Sequence, residues 1–485
     1  MNLNDKNVGI HFVNSNKYPA KAPFDPPLKY PEYRGEKVDP ENLVYAGIRN
    51  ILFRLGLDNT NYNKKNWNPF GQYIKPGMTV FIKPNLVRHK HLRGKDLFSV
   101  IVHASILRPI LDYVCIALKD KGKIIIGDSQ VYLAHFDRAI EASHIKDLLD
   151  FFNKCSTIPI ECIDLRINRG VRTYLGGMWG RKPVKQDSQG YEFVDLGNLS
   201  KFNNINSKRL RIGHESPKIM YMHHSHGKHQ YLFPKSFLQS DVIINIPKMK
   251  THRRTAVTLT LKNIMGLPAL KGSLPHYITG SVKEGGDEYI HPSLRKRMCT
   301  LLNDKIHSIP FIPLKFIFTI VKKIIWTSHK ILPFKDNINE AMWYGNDTLW
   351  RTLIDLNRAA LYADKDGRLC KTPQRHFFGL VDGIIAGEKN GPVSTEPFNA
   401  GVMIAGHNPV AIDAVSSTLM GFDINKIPMI KNAMLIEKSD MPLFLGALDD
   451  IKIINGDKII NFNELAKKPP FQFEPHPNWK GHLEL

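Results

Sequence analysis

The stretch DVIINIPKMKTHRRTAVTLTLKNIMG, residues 241–266, decides the fold. Its opening, Val242–Ile246, is a short and almost wholly apolar run, as a strand buried on both faces requires. Pro247 closes the run, and Lys248, Lys250, His252, Arg253, Arg254 and Lys262 follow in quick succession. Ligands of open α/β sheets bind beyond the carboxyl ends of the strands, so a strand that delivers cations there builds an anion pocket. Lys248, Lys250 and His252 alternate, which in an extended segment projects all three to one side. Lysine binds phosphate as a point charge, and three converging would hold a pyrophosphate or a nucleotide.

Working outward, Met78–Ile82 is a second strand-like run that follows the turn signal Pro76-Gly77 and ends in Lys83-Pro84-Asn85. Ile106, Ile110, Val114 and Leu118 recur every four residues within Ser105–Lys119, the spacing of one helix face. Lys123–Ile126 then reads as a strand closed by Gly127-Asp128-Ser129. Strand, helix and strand in this order make a βαβ unit of a parallel sheet. Phe377–Val381, closed by Asp382-Gly383, and Val402–Ala405 extend the pattern. Asn408 as N-cap, Pro409 at the first helical position and Gly421 bracket a helix through Met420. A further helical pattern covers Pro40–Leu57. The expected class is α/β, with mostly parallel sheet flanked by helices, an irregular insertion and a basic amphipathic helical segment. The expected division is an N-terminal extension at 1–75 and the first part of the core at 76–300. A helical insertion at 301–345 and the rest of the core with a C-terminal tail at 346–485 complete it.

Five dispersed cysteines without a CxxC pair argue against a disulfide framework, a zinc ribbon or an iron–sulfur cluster, and fit a reducing cytoplasm. No window approaches the roughly 18–20 uninterrupted apolar residues of a transmembrane helix. The N-terminal MNLNDKNVGIHFVN lacks the apolar core of a signal peptide. With 67 basic and 45 acidic residues the net charge is +22, which favours phosphorylated small molecules, an anionic membrane face or nucleic acid as partners. A lysine-rich surface bias would give the same total, so charge alone selects none of them. Residues 305–335 mix Leu314, Phe316, Ile317, Phe318, Ile320, Val321, Ile324 and Trp326 with Lys315, Lys322, Lys323 and Lys330. Such a segment either lies in a membrane interface or packs on the domain with its lysines snorkelling. The expected location is therefore the cytoplasm, with peripheral contact at the inner membrane face through 305–335 as the variant.

Lys83 and Asn85, then Asp128, then Asp382 stand at the ends of three expected strands, where site residues and turn formers compete. Lys262-Asn263 adds a cation and a two-way amide. His276 in LPHY, and His252, are the candidate acid–base groups. Asp287 and Glu288 of GGDEY, with Asp382 and Glu388, offer oxygen ligands for a divalent cation, Mg²⁺ by preference. In WYGNDTLWRTLIDLN (343–357), Asp347, Arg351 and Asp355 share a helix face. They form an intrahelical ion-pair ladder, or else they present Arg351 to the ligand. Glu388-Lys389-Asn390-Gly391-Pro392 reads as a substrate loop, with Asn390 as its hydrogen-bonding residue. His223, His224, His226 and His229 invite a metal, but no HExxH or cysteine pair accompanies them.

Taken together, IKPN, DVIINIPKMKTH, TLTLKNIMG, LPHY, GGDEY, WYGNDTLWR, VDGIIAGEKNGP and NPVAIDAVSSTLMGFD resemble the family called domain of unknown function 362, over roughly residues 78–425. The match is to a longer type carrying LPHY and GGDEY, whose members tend to be encoded among bacterial surface-polysaccharide genes. Another branch carries ferredoxin-type cysteine motifs; this chain has none, so electron transfer is not expected. The resemblance supplies no reaction, but it implies that Lys83, Asn85, Lys248, Lys250, His252, Lys262, Asn263, His276, Asp287, Glu288, Asp382, Glu388 and Asn390 belong to one site. The expected function is an enzyme acting on a phosphorylated or nucleotide-linked anionic substrate, such as a glycan precursor. The alternatives are a non-catalytic peripheral scaffold for glycan assembly, and a nucleic-acid binder using Arg88–Lys95 and Lys248–Arg254. The last is disfavoured because no nucleic-acid-binding motif accompanies the charge.

Overall fold

The computed structural model describes residues 3–13, 15–172, 178–327, 338–436 and 440–485. A twelve-stranded sheet crosses the protein. Its strands are β1 (Asn7–Phe12), β2 (Thr79–Pro84), β3 (Lys123–Asp128), β4 (Ile160–Asp164), β5 (Val242–Ile246), β6 (Lys248–His252) and β7 (Ala256–Thr258). They continue with β8 (His376–Glu388), β9 (Glu396–Phe398), β10 (Val402–Gly406), β11 (Lys452–Asn455) and β12 (Lys458–Asn461). The spatial order is β12-β11-β1-β10-β8-β5-β2-β3-β4, with β6 paired to β7 and β8, and β9 paired to β8. The neighbours β8, β5, β2, β3 and β4 are all parallel, while β10 runs antiparallel to both β1 and β8. The α/β class stands.

Alternating side chains feed two cores. Val80, Ile82, Ile124, Ile126, Val242 and Ile244 pack with Ile106, Leu107 and Ile110 of helix Ala104–Leu118 on one face. Phe81, Ile125, Ile243 and Phe377 pack with Leu353, Leu356 and Ala360 of helix Leu349–Tyr362 on the other. Burying each large aliphatic or aromatic side chain contributes about 1.5–3 kcal/mol, so the two-sided burial fixes the register of these strands.

Topology places the site. From β2 the chain passes through helix Ala104–Leu118 to β3 and on to β4, moving steadily toward one edge. It then returns as β5 on the opposite side of β2, and later adds β8 beyond β5. The winding therefore reverses between β2 and β5, and a crevice opens outside their carboxyl ends.

Two elements differ from expectation. Residues 7–12, assigned to an extension, form a strand within the sheet, parallel to β11 and antiparallel to β10. Strand β8 runs through Asp382-Gly383 to Glu388, because Asp382 and Gly383 pair with Met403 and Val402 and Gly387 pairs with Lys250. Asp382 is thus a mid-strand residue. The helix signals near Asn408 hold: Asn408 accepts from the amides of Val410 and Ala411 at the start of Pro409–Leu419. The basic segment forms helix Ile312–Thr327, joined to helix Leu294–Ser308; residues 328–335 of that segment, Lys330 included, lie outside the described residues.

Candidate functional site

A cavity of about 520 Å³ occupies the switch-point crevice. Asn85 reaches it from the end of β2, Asp128 from the end of β3, and Lys250 and His252 from β6. Lys262 and Asn263 come from the short helix Thr260–Asn263, and Lys271 and His276 from the loop beyond it. Asn303, Ile306 and His307 of one helix and Thr319 and Lys322 of the next close the outer wall. Pro392 and Val393 cover another side.

The charge of this lining is one-sided. Among the described residues it holds Lys250, Lys262, Lys271, Lys322, Arg88, Arg253 and Arg254, against one carboxylate, Asp128. Asp128 is already committed: its Oδ1 lies 2.8 Å from Lys83 Nζ, and its Oδ2 accepts the Leu86 amide at 2.9 Å. Burial pulls the Lys250 ammonium well below the usual lysine range, and Lys262 and Lys248 reinforce the shift. Burial, with Arg254 and Lys83 nearby, lowers Lys262 to about 8. Lys271 is lowered by burial to about 7 and donates to the Met265 carbonyl at 3.0 Å. Lys262 has no ion pair or hydrogen bond among the described residues, and the buried Nε of Arg253 also lacks a partner. Arg254 differs, being held by the Glu340 carboxylate at 3.0 Å.

A ladder of amides supports the lysines. Asn85 accepts from Lys250 Nζ at 3.3 Å and donates to Asn263 at 3.0 Å; Asn263 donates to Asn245 at 2.7 Å and to the Lys83 carbonyl at 3.0 Å. Asp413 accepts the amides of Thr260 at 2.7 Å and Leu261 at 3.0 Å, which anchors the helix bearing Lys262. Burial raises that carboxyl to about 7. Gly266 is required sterically, since a Cβ there would stand 2.2 Å from Asp128 Oδ1 and 2.7 Å from Lys83 Nζ. A Cβ on Gly391 would likewise meet the Thr251 carbonyl at 1.8 Å, so the GEKNGP loop lies directly on β6.

The two predicted histidines meet in the cavity and differ in tautomer. Burial keeps both well below the usual histidine range, helped by Lys262 and Arg253 at His252 and by Arg254 at His276. Both are therefore neutral at pH 7. Nδ1 of His252 accepts the Arg254 amide at 3.1 Å, so its proton sits on Nε2. Nδ1 of His276 faces the Leu274 carbonyl at 2.8 Å and carries the proton, leaving Nε2 with the lone pair.

Other predicted residues lie elsewhere. Lys248 turns away from Lys250 because the β6–β8 register slips between them, from Asp382 opposite Lys248 to Gly387 opposite Lys250, which breaks simple alternation. Its ammonium is 2.9 Å from Asp382 and 2.6 Å from the Tyr18 hydroxyl, and Tyr18 donates to Asp382 at 2.7 Å. Lys83 lies beneath the lining, held by Asp128. Arg351 pairs with Asp347 at 2.7 Å, one rung of the expected ladder, while Asp355 accepts instead from Ser200, the Lys201 amide and Tyr231; Arg351 stays outside the cavity, as does Asn390.

The four proposed metal ligands do not gather, and each carboxylate is used locally. Asp287 accepts from the Ile278 and Asp347 amides and the Thr348 hydroxyl, and Glu288 from Thr300 and the Gly280 amide. Asp382 is bound to Lys248, and Glu388 accepts the Glu474 amide at 2.8 Å. Among the described residues no three His, Cys, Asp or Glu side chains are placed to hold a metal ion. The histidine-rich loop is structural too. His224 meets His229 at 3.2 Å and the Ser273 carbonyl at 2.7 Å, while His226 contacts Tyr221 at the surface.

Lys271, His214 and His307 line the cavity, although no motif singles them out, and Lys322 joins them from the basic amphipathic segment. Lys271 sits between TLTLKNIMG and LPHY, and proximity to both runs is the one sequence signal for it.

Fold and site thus define an α/β protein with a cation-lined cavity at the switch point of a parallel sheet. The family model for "Domain of unknown function (DUF362)" matches residues 187–418, and the chain carries a domain of that family. No curated protein matches the sequence. A crystal structure of a protein from Thermotoga maritima is similar at 8% identity with a TM-score of 0.28; the alignment covers 73% of this chain and 57% of that one.

Proposed function

We propose that the cavity binds a phosphate-bearing small anion and that the protein is an enzyme acting on it, with a sugar or glycan precursor linked through phosphate as the substrate class. The observation that carries this is the imbalance of the lining: among the described residues Lys250, Lys262, Lys271, Lys322 and Arg253 face one lining carboxylate, which a lysine outside the lining already neutralises, while Glu340 holds Arg254. Burial, and to a lesser degree neighbouring cations, holds these lysines below the usual lysine range. An anion among Lys250, Lys262 and Lys271 favours their charged forms, which would stabilise charge developing on a phosphoryl oxygen. Gathering the cations inside a cavity suits a small anion better than a nucleic-acid duplex, whose phosphates need an open surface.

The histidines divide the hydrogen-bonding work. Nε2 of His276 carries a lone pair that accepts a hydrogen bond from a hydroxyl or water and orients it toward the bound phosphate. Nε2–H of His252 donates a hydrogen bond to a ligand oxygen. The carboxylates Asp287, Glu288, Asp382 and Glu388 take no part, so no step is assigned to a cation held by them. Titration calorimetry with pyrophosphate and nucleoside diphosphates tests the binding. Saturable binding to the wild type that weakens at least about tenfold in Lys262→Ala is expected, since one charge-assisted contact is worth about 1.5–3 kcal/mol. Equal binding by the two proteins, or none by either, would remove the proposal.

A further inference from the structure

Helices Leu294–Ser308 and Ile312–Thr327 form an antiparallel hairpin: Arg295, near the start of the first, donates to the Trp326 carbonyl near the end of the second and stacks over its ring at 5.0 Å. The second helix is apolar beyond the side it packs: Leu314, Phe318, Ile325 and Trp326 are half-buried, and a further apolar stripe faces away from the core. Thr319 and Lys322 line the cavity, and Lys322 donates to Asn303 on the neighbouring helix. Ile312, Phe316, Ile317, Ile320, Val321 and Ile324 recur at helical spacing and point outward, with Ile312, Ile317 and Ile324 exposed by 62%, 53% and 63%. No residue of this helix is buried. Leu294, Met298 and Leu301 give the first helix an exposed stripe of its own. A water-facing ridge of this size marks an interaction surface.

Its charge selects the occupant. Arg297, Lys305 and Lys323 are exposed beside the stripes, on a chain of net charge +22. A second copy would oppose these cations to their own kind, whereas an anionic bilayer neutralises them and accepts the apolar side chains. The helix has 16 residues, and no described helix is long and apolar enough to cross a membrane, so the geometry is that of a helix lying in the interface. The inner face of the same hairpin walls the cation cavity, where Ile212, Leu274 and Ile306 supply apolar lining next to the lysines.

We propose that the hairpin Leu294–Thr327 docks on an anionic lipid surface and that the cavity it walls receives an amphiphilic phosphate from that surface. The docking stands on the hairpin alone; the ligand rests on the phosphate reading of the cavity.

Flotation with vesicles of phosphatidylcholine mixed with phosphatidylglycerol tests the docking. The wild type should float with them and not with phosphatidylcholine alone, and Ile317→Asp combined with Ile324→Asp should reduce the floated fraction at least about tenfold. That double variant replaces exposed residues, so its circular dichroism and pyrophosphate affinity should match the wild type. Lys262→Ala should float normally and lose pyrophosphate. A wild type that stays in the aqueous fraction, or one that light scattering shows to be a dimer dissolved by the double variant, overturns the docking. Farnesyl diphosphate should bind at least about tenfold more tightly than pyrophosphate, through the apolar area it buries. Equal affinities overturn the amphiphilic ligand while leaving docking and phosphate binding intact. Failure of every phosphate ligand condemns the cavity assignment, and flotation still judges the hairpin.

Discussion

Lys248 and Lys250 stand two residues apart on one strand, both fully buried, and have opposite electrostatic surroundings. Lys248 closes a compact triad with Asp382 and Tyr18, in which every charge has a partner. Among the described residues Lys250 reaches only uncharged partners, the Asn85 amide and the Val100 carbonyl, and burial together with nearby Lys262 depresses its pKa. The first arrangement is a strut and the second is a receptor. The difference comes from the register slip opposite Lys250, which turns one lysine toward β8 and the other toward the cavity.

The largest effect that would break this contrast lies at the strut. Asp382→Ala leaves Lys248 uncompensated in a site without water access, and should lower unfolding free energy by about 3–5 kcal/mol in urea titrations. A loss below about 1 kcal/mol would mean that the triad is not structural. Gly266→Ala should come next. The new methyl group collides with the Lys83–Asp128 pair, and overpacking of this kind costs about 1–3 kcal/mol, readable in the same titration.

On the receptor side, Lys262→Ala should leave stability within about 0.5 kcal/mol or raise it, because the residue removed was a buried cation with no ion pair among the described residues. The same variant loses anion binding, so stability and affinity separate where at Asp382 they cannot.

The pH dependence sharpens the contrast further. Lys271 at about 7 and Lys262 at about 8 are partly deprotonated above neutrality. An anion favours their charged forms, so binding takes up protons and weakens as pH rises through these values. Sulfate, whose charge is constant in this range, should lose up to about tenfold in affinity per pH unit for each proton taken up. The unliganded protein should show the reverse trend. Lysines whose folded pKa lies below the unfolded value bind fewer protons when folded, so their contribution makes stability rise with pH across the window from about 7 toward the unfolded pKa near 10.4. Flat sulfate affinity from pH 7 to pH 9 would show that these lysines do not face the ligand. The smallest effect belongs to Arg351→Ala. That side chain is tied to Asp347 outside the cavity, and anion affinity should change less than about twofold, since exposed ion pairs are worth about 0–1 kcal/mol.

Much of the frame is legible in the residues. The apolar runs at 79–84, 123–128 and 242–246 and the four-residue spacing after Ala104 are local properties, and two-sided burial admits few structures for them. The cations after Pro247 and the histidines at 252 and 276 are also visible, because strand ends at a switch point are where an α/β sheet binds ligands. The carboxylates misled. Asp287 and Glu288 look like ligands on a glycine turn, yet burial with amide and hydroxyl donors makes them caps, at pKa values raised to about 6 and about 7. Spacing cannot distinguish a carboxylate that awaits a cation from one already satisfied by backbone amides.

By itself, then, the sequence determined the parallel sheet, the βαβ order and a cluster of positive charge near the end of β5, since each follows from short-range pattern. Only the tertiary structure decided which cations are free. Whether a buried lysine is a strut or a receptor depends on whether a carboxylate distant in the chain pairs with it, as Asp382 pairs with Lys248 and, among the described residues, none pairs with Lys262. The outward turn of the Ile312–Thr327 stripe was decided the same way: periodicity predicts an apolar face, and only the packing of Thr319 and Lys322 against the cavity shows that this face looks away from the core.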